Sequence, residues 1–192
     1  MSTRAEVRNP AIQAVAAQLP SLREHARRTA SGLSQWQLDW QPGPRSWSVG
    51  QCLEHLVIAH ERYVPTVPRV LAEAKAAGHP ATHQPWGTTF FGRFILKSVT
   101  PGSRSVPTGK AFMPASRARP QVLDAFVGTL DDLERWLCDA DGLDLTKIKI
   151  SSPMLRLIRY NLGEGFAIVV AHAERHLQQA DRVKQRAGFP RA

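Results

Sequence analysis

Histidine gives this chain its widest chemical scope. Seven occur, at positions 25, 55, 60, 79, 83, 172 and 176. His172 and His176 are four apart, which on a helix puts them one turn apart on one face. Two imidazoles so placed can grip a single metal ion. Chance yields such a pair about one time in five for this histidine content, so the spacing opens a metal reading without closing it. The run His172-Ala173-Glu174-Arg175-His176 is not the HExxH pattern of metalloproteases. Its glutamate falls two residues after the first histidine, on the opposite helical face, and cannot act as a base there. A third ligand must come from another helix, and His55 and His60 are the candidates. At 100° per residue His60 falls within the apolar stripe of its helix and His55 about 120° away, so periodicity favours His60 as the core-facing one. For any one of these residues the plainer alternative is a core or boundary imidazole bonded to a carbonyl. His25, His79 and His83 fall on a polar face or in loops and are expected in solvent.

Four amphipathic segments must position these side chains. The first, residues 10–33, sets Ile12, Val15, Ala16, Leu19, Leu22, Ala26 and Leu33 at spacings of three and four, with Pro20 expected to break or kink it. A turn from Trp40 to Trp47 follows. The second begins at Ser48, with Gln51 completing a capping box, and Pro65 and Pro68 should kink it. It runs out at Gly78-His79-Pro80. Residues 78–115 are rich in proline and glycine and read as irregular, with a short two-turn helix around Phe90, Phe91, Phe94, Ile95 and Leu96. So long a connection is expected to pack over the helices as a lid or crossover. The third helix is expected to start at Pro120, a favoured first position, and to end at Gly142. Ile148 and Ile150 alternate within an extended stretch. The fourth starts at Asn161, with Glu164 completing a second capping box, and ends at Gly188. The expectation is an all-α protein: one domain over residues 1–192, a four-helix bundle with a long irregular crossover between helices 2 and 3.

The charge is unevenly spread. Of 192 residues, 25 are Lys or Arg and 16 are Asp or Glu, a formal +9. Residues 1–77 hold nine bases and six acids, residues 121–192 ten of each, and residues 78–120 six bases and no acid. Most of the excess therefore lies in the crossover, counted as the basic insertion 78–119. Nucleic-acid binding would call for a basic helix face or a recognised module, and neither is present. Cys52 and Cys138 have no CxxC neighbour, so a reducing cytoplasm is the default. No run of about 18 apolar residues exists to cross a bilayer.

Two passages resemble a known family. Trp47-Ser48-Val49-Gly50-Gln51-Cys52-Leu53-Glu54-His55-Leu56 is similar to the start of the second helix in the DinB-like metal-binding superfamily, whose ligand histidine stands eight residues after the tryptophan. His172-Ala173-Glu174-Arg175-His176-Leu177-Gln178-Gln179 resembles that family's HxxxH on the last helix, with a glutamine three residues after the second histidine. The resemblance implies a bundle, often dimeric, holding a divalent ion between His55, His172 and His176. It thus moves the third ligand from His60 to His55. His60 and Gln179 remain as candidates for supporting the ligands or facing a substrate.

Three imidazoles leave the ion's other positions open, as in catalytic sites. Zinc is the first expectation; nickel, cobalt or iron would accept the same donors. Characterised relatives include transferases that join a low-molecular-weight thiol, such as bacillithiol or mycothiol, to an electrophile. The resemblance therefore implies a metal-dependent thiol transferase, acting as a homodimer on a small thiol and an electrophile. Arg93, Lys97 and Arg104 are the candidates for receiving the thiol's polar groups. The alternatives are a non-catalytic metal-binding stress-response module and a metal-dependent hydrolase. A hydrolase would want a carboxylate base near the ion. The candidates are Glu164, read as a cap, and Glu54, read as solvated.

Overall fold

A computed structural model describes residues 7–104, 107–155 and 157–191. The chain is helical, as its apolar periodicity predicts. Asn9 caps α1 (Pro10–Ala16), its side-chain oxygen accepting from the amides of Ala11 and Ile12. The chain then breaks before α2 (Leu19–Ala30), which places Pro20 in its first turn. After the short α3 (Gln35–Asp39), α4 (Val49–Glu61) opens on the Ser48/Gln51 capping box. That run ends at Glu61, ahead of Pro65, and α5 (Val67–Ala76) continues beyond it with Pro68 in its first turn. The crossover holds α6 (Phe90–Val99) and a 3-10 turn, Lys110–Phe112. Then come α7 (Val122–Ala140), a two-stranded antiparallel hairpin of β1 (Lys149–Ser151) and β2 (Arg159–Asn161), and α8 (Leu162–Lys184). In the hairpin Ile150 pairs with Tyr160, both buried.

α2, α4, α7 and α8 form the bundle: α4 packs on both α7 and α8, and α2 does the same. Their shared interior is filled by Leu19, Leu53, Phe126, Leu133, Phe166 and Leu177, each fully buried. Burying a side chain of this kind contributes roughly 1.5–3 kcal/mol. Among the described residues no helix is long and apolar enough to cross a membrane.

Three local expectations are corrected. α7 starts at Val122, not Pro120. Gln121 adopts a left-handed conformation, φ 56°, and the chain before it is pinned by the Ala118 amide donating to Asp39 Oδ1 at 2.9 Å. The short crossover helix runs for ten residues rather than two turns, because Thr89 caps it by accepting from the Gly92 amide. Glu54 is not solvated. It is buried, and the Arg119 guanidinium from the crossover donates to both its oxygens at 2.8–3.0 Å.

That last contact belongs to a larger feature. Every residue of α4 from Val49 to Val57 is buried. α3 and the crossover cover the side of α4 that the bundle does not. Gly50 shows how tightly: a Cβ there would lie 2.7 Å from Ala118 Cβ and 2.9 Å from the Leu38 carbonyl oxygen. The crossover is strapped down at its other end too, where Arg175 of α8 donates to the carbonyls of Thr100 and Ser103 at 3.1 Å.

Candidate metal centre

The sheathing of α4 decides where His55 goes. Facing neither solvent nor the bundle's centre, it lies under the crossover and against α8. Its Nδ1 is 2.8 Å from the Phe112 carbonyl oxygen. A carbonyl only accepts, so Nδ1 carries the proton and Nε2 presents a lone pair. That Nε2 lies 3.1 Å from Nε2 of His172. His176, one turn further along α8, completes the group, and the ligand nitrogens of His55, His172 and His176 all lie within 4.8 Å of one another. Two imidazole lone pairs at 3.1 Å repel unless a proton or a cation lies between them. Tetrahedral zinc with bonds of about 2.0–2.1 Å holds its nitrogens roughly 3.3 Å apart. The donor set therefore fits a divalent ion, with His55 already in a ligating tautomer.

Burial keeps all three rings neutral. It pushes His55 below the usual histidine range, with the Phe112 hydrogen bond acting the other way. His172 is lowered to about 3, first by burial and then by the neighbouring His55 ring and the Arg175 guanidinium, beside which a second positive charge is disfavoured. His176 is lowered to about 2 by burial and by its two histidine neighbours. Its Nδ1 is buried without a hydrogen-bond partner among the described residues. Trp47 covers the group, its ring 4.8 Å from that of His55 and stacked at 5.5 Å on that of His176.

These shifts make the metal-free protein acid-sensitive. In the unfolded chain a histidine takes its proton near pH 6.5. The folded chain refuses that proton down to about pH 3 at His172. Stability contributed by the neutral rings is thus complete above pH 6.5 and is lost as pH falls below it, by on the order of 1 kcal/mol per pH unit per histidine. Urea unfolding of the metal-free protein should show a lower midpoint at pH 5 than at pH 8. The difference should shrink markedly in His172→Gln.

The triad forms part of the wall of a cavity of about 870 Å³. Leu56, Phe94, Phe112, Phe126 and Ile168 give it a largely apolar lining. Tyr63 and Tyr160, hydroxyl to hydroxyl at 2.9 Å, face it from α4's extension and β2. Its cations are Arg45, Arg175, Arg182 and Arg186, and among the described residues no Asp or Glu lines it.

His60 also borders the cavity, but it does not join the metal group. Its Nε2 is 2.9 Å from Asp132 of α7 and its ring stacks on Trp136 at 4.8 Å. The wheel was right that His60 is buried; it failed on His55 because α4 has no solvent face over its first turns. Gln179 lines the cavity beside His176. Arg93, Lys97 and Arg104 are exposed and lie outside the lining. His25 is corrected from solvated to largely covered, with Nε2 2.7 Å from Asp181 and Nδ1 3.5 Å from Glu174. His83 is half-buried beside Asp141, and only His79 of the three is fully exposed. Arg45, Arg182, Arg186 and the tyrosine pair escaped the sequence reading. A signal existed for the one on α8: His172, Arg175, His176, Gln179 and Arg182 all fall within one arc of about 120° at 100° per residue, and Arg186 follows just past the helix end.

The bundle and its three-histidine group agree with comparison at the family level. The chain belongs to the DinB superfamily, whose family profile matches residues 9–180. No curated protein and no solved structure matches it.

Proposed function

We propose that this DinB-superfamily protein is a divalent-metal enzyme that joins a low-molecular-weight thiol to an electrophilic substrate. The observation that carries it is the convergence of three neutral imidazoles on a large apolar cavity whose described lining contains no carboxylate. A divalent ion, held by His55, His172 and His176, would supply the charge that lets a thiol persist as a thiolate at neutral pH. Phe112 holds His55 in the tautomer that offers Nε2. Trp47 shields two of the three rings from water. Tyr63 and Tyr160 share one hydrogen bond, so one of their two hydroxyl protons is left to donate to a substrate oxygen. Among the described residues no carboxylate lines the cavity to give the hydrolase alternative its base, and Glu164 caps α8 while Glu54 is held by Arg119. Zinc is the proposed ion.

The test is a screen of small thiols against a model electrophile, using protein loaded with zinc, nickel, cobalt or iron(II). Turnover that needs both thiol and metal supports transfer. Metal uptake without turnover for any thiol returns the protein to a binding role, and failure to take up metal removes the reading altogether.

A further inference from the structure

α8 separates its charges by face. Its acids on one side are engaged: Asp181 accepts from Thr29 at 2.6 Å and lies 2.7 Å from His25, while Glu174 accepts from Gln178 at 2.8 Å. The cavity side carries Arg175 and Arg182, and Arg186 follows just beyond the helix end. Arg175 is occupied by the Thr100 and Ser103 carbonyls. The side chains of Arg182 and Arg186 have no hydrogen-bond or carboxylate partner among the described residues, and neither has that of Arg45.

Arg45 lines the same cavity from a different segment, and like Arg182 and Arg186 it is exposed. It sits in the turn between Trp40 and Trp47. Trp40 packs edge-on against Phe189 at 5.5 Å, and Gln37 of α3 donates to the Pro190 carbonyl at 3.0 Å. Trp47 stacks on His176. The turn is thus anchored at both ends to the stretch of chain from His176 to Pro190, which contains Arg182 and Arg186. Cations near a helix C-terminus complement its dipole. That accounts for Arg182 and Lys184 on α8 but not for an arginine delivered by another segment to the same cavity. Three guanidinium groups without partners among the described residues, around a space whose described lining holds no carboxylate, concentrate positive potential there, and an anion relieves it.

We propose that Arg45, Arg182 and Arg186 form an anion-binding subsite, and that the ligand of this cavity is an organic anion with an apolar body and a carboxylate or phosphate end. Arg182 lies six residues beyond His176, about 9 Å along the helix axis at 1.5 Å per residue. The anionic end therefore seats roughly one and a half turns from the imidazoles, and the apolar body lies against the wall between. This inference rests on reading the cavity as a small-molecule site, and it names the class of molecule.

Calorimetric titration with benzoate, phenyl phosphate and the neutral isostere benzamide tests it, on the protein as purified and again after chelation of metal. Benzoate or phenyl phosphate is expected to bind in both preparations, and benzamide at least tenfold more weakly. Tighter binding of phenyl phosphate identifies a phosphate-bearing ligand, and tighter binding of benzoate a carboxylate. Arg182→Gln/Arg186→Gln should weaken the anion at least tenfold and Arg45→Gln several-fold, while Arg93→Gln/Lys97→Gln leaves it unchanged. Circular dichroism checks the fold of each variant. Benzamide binding as well as benzoate, an unaffected double variant, or loss of binding on chelation would each overturn the subsite. No thiol or electrophile enters the titration, so its failure leaves the transfer chemistry to be judged by its own screen.

Discussion

Replacing His55 with alanine is expected to reduce bound metal from about one ion per chain to under a tenth, while His60→Ala leaves the content unchanged. The two residues sit on the same helix and only five positions apart, so the comparison isolates geometry from helix stability. His55 presents Nε2 to His172 at 3.1 Å, whereas His60 is turned to Asp132 on α7. Losing one of three protein ligands removes a bond that two imidazoles and water replace poorly, a loss of at least a hundredfold in affinity. His172→Ala should behave like His55→Ala. Elemental analysis of desalted protein reads the result, and the opposite pattern, metal lost with His60 and kept without His55, would replace the proposed triad.

Glu164→Ala is expected to cost about 2–4 kcal/mol, lowering the thermal midpoint by roughly 5–12 °C for a domain of this size. The reason is that one buried carboxylate serves two helices. It accepts from the Asn161 amide at 3.1 Å, closing the capping box of α8. It also accepts from the Thr89 amide at 2.5 Å and the Thr89 hydroxyl at 2.8 Å, at the start of α6. Gly92 leaves the room for it, since a Cβ there would collide with the Glu164 carboxylate. Alanine strands buried donors at both helix starts. Glu164→Gln keeps an acceptor oxygen and should cost less than half as much. Differential scanning fluorimetry distinguishes the two. A cost below about 1 kcal/mol for alanine would mean that the α6–α8 junction is held by other contacts.

What could be read in advance was what depends on near neighbours in the chain. The capping boxes at Ser48/Gln51 and Asn161/Glu164 are three-residue patterns, and both are closed, with Gln51 N to Ser48 Oγ at 3.0 Å and Glu164 N to Asn161 Oδ1 at 2.8 Å. His172 and His176 converge because 3.6 residues make a turn. The prolines mark the helix breaks for reasons internal to the residue: Pro65 lies between α4 and α5, and Pro20 and Pro68 stand in the first turns of α2 and α5. His55 was legible only through family resemblance, because wheel arithmetic assumes one buried face and α4 is covered all round its first half. The crossover was opaque for a related reason. Its path is set by Arg119 on Glu54, Arg175 on the Thr100 carbonyl and Glu164 on Thr89, partners more than 60 residues away in each case. No local pattern encodes such pairings.

The bond from His55 to the Phe112 carbonyl has a consequence for how this protein can vary. Every amino acid brings a carbonyl, so substitution at position 112 cannot delete the acceptor; it changes only the ring that packs below it. An alanine scan through the crossover would therefore pass over the group that sets which nitrogen of His55 presents a lone pair. Only moving the chain, by adding or removing residues near the Lys110–Phe112 turn, withdraws that oxygen. The constraint falls on the length and path of the segment while leaving the identity of its residues free. Composition can drift here while the three-histidine group keeps its shape.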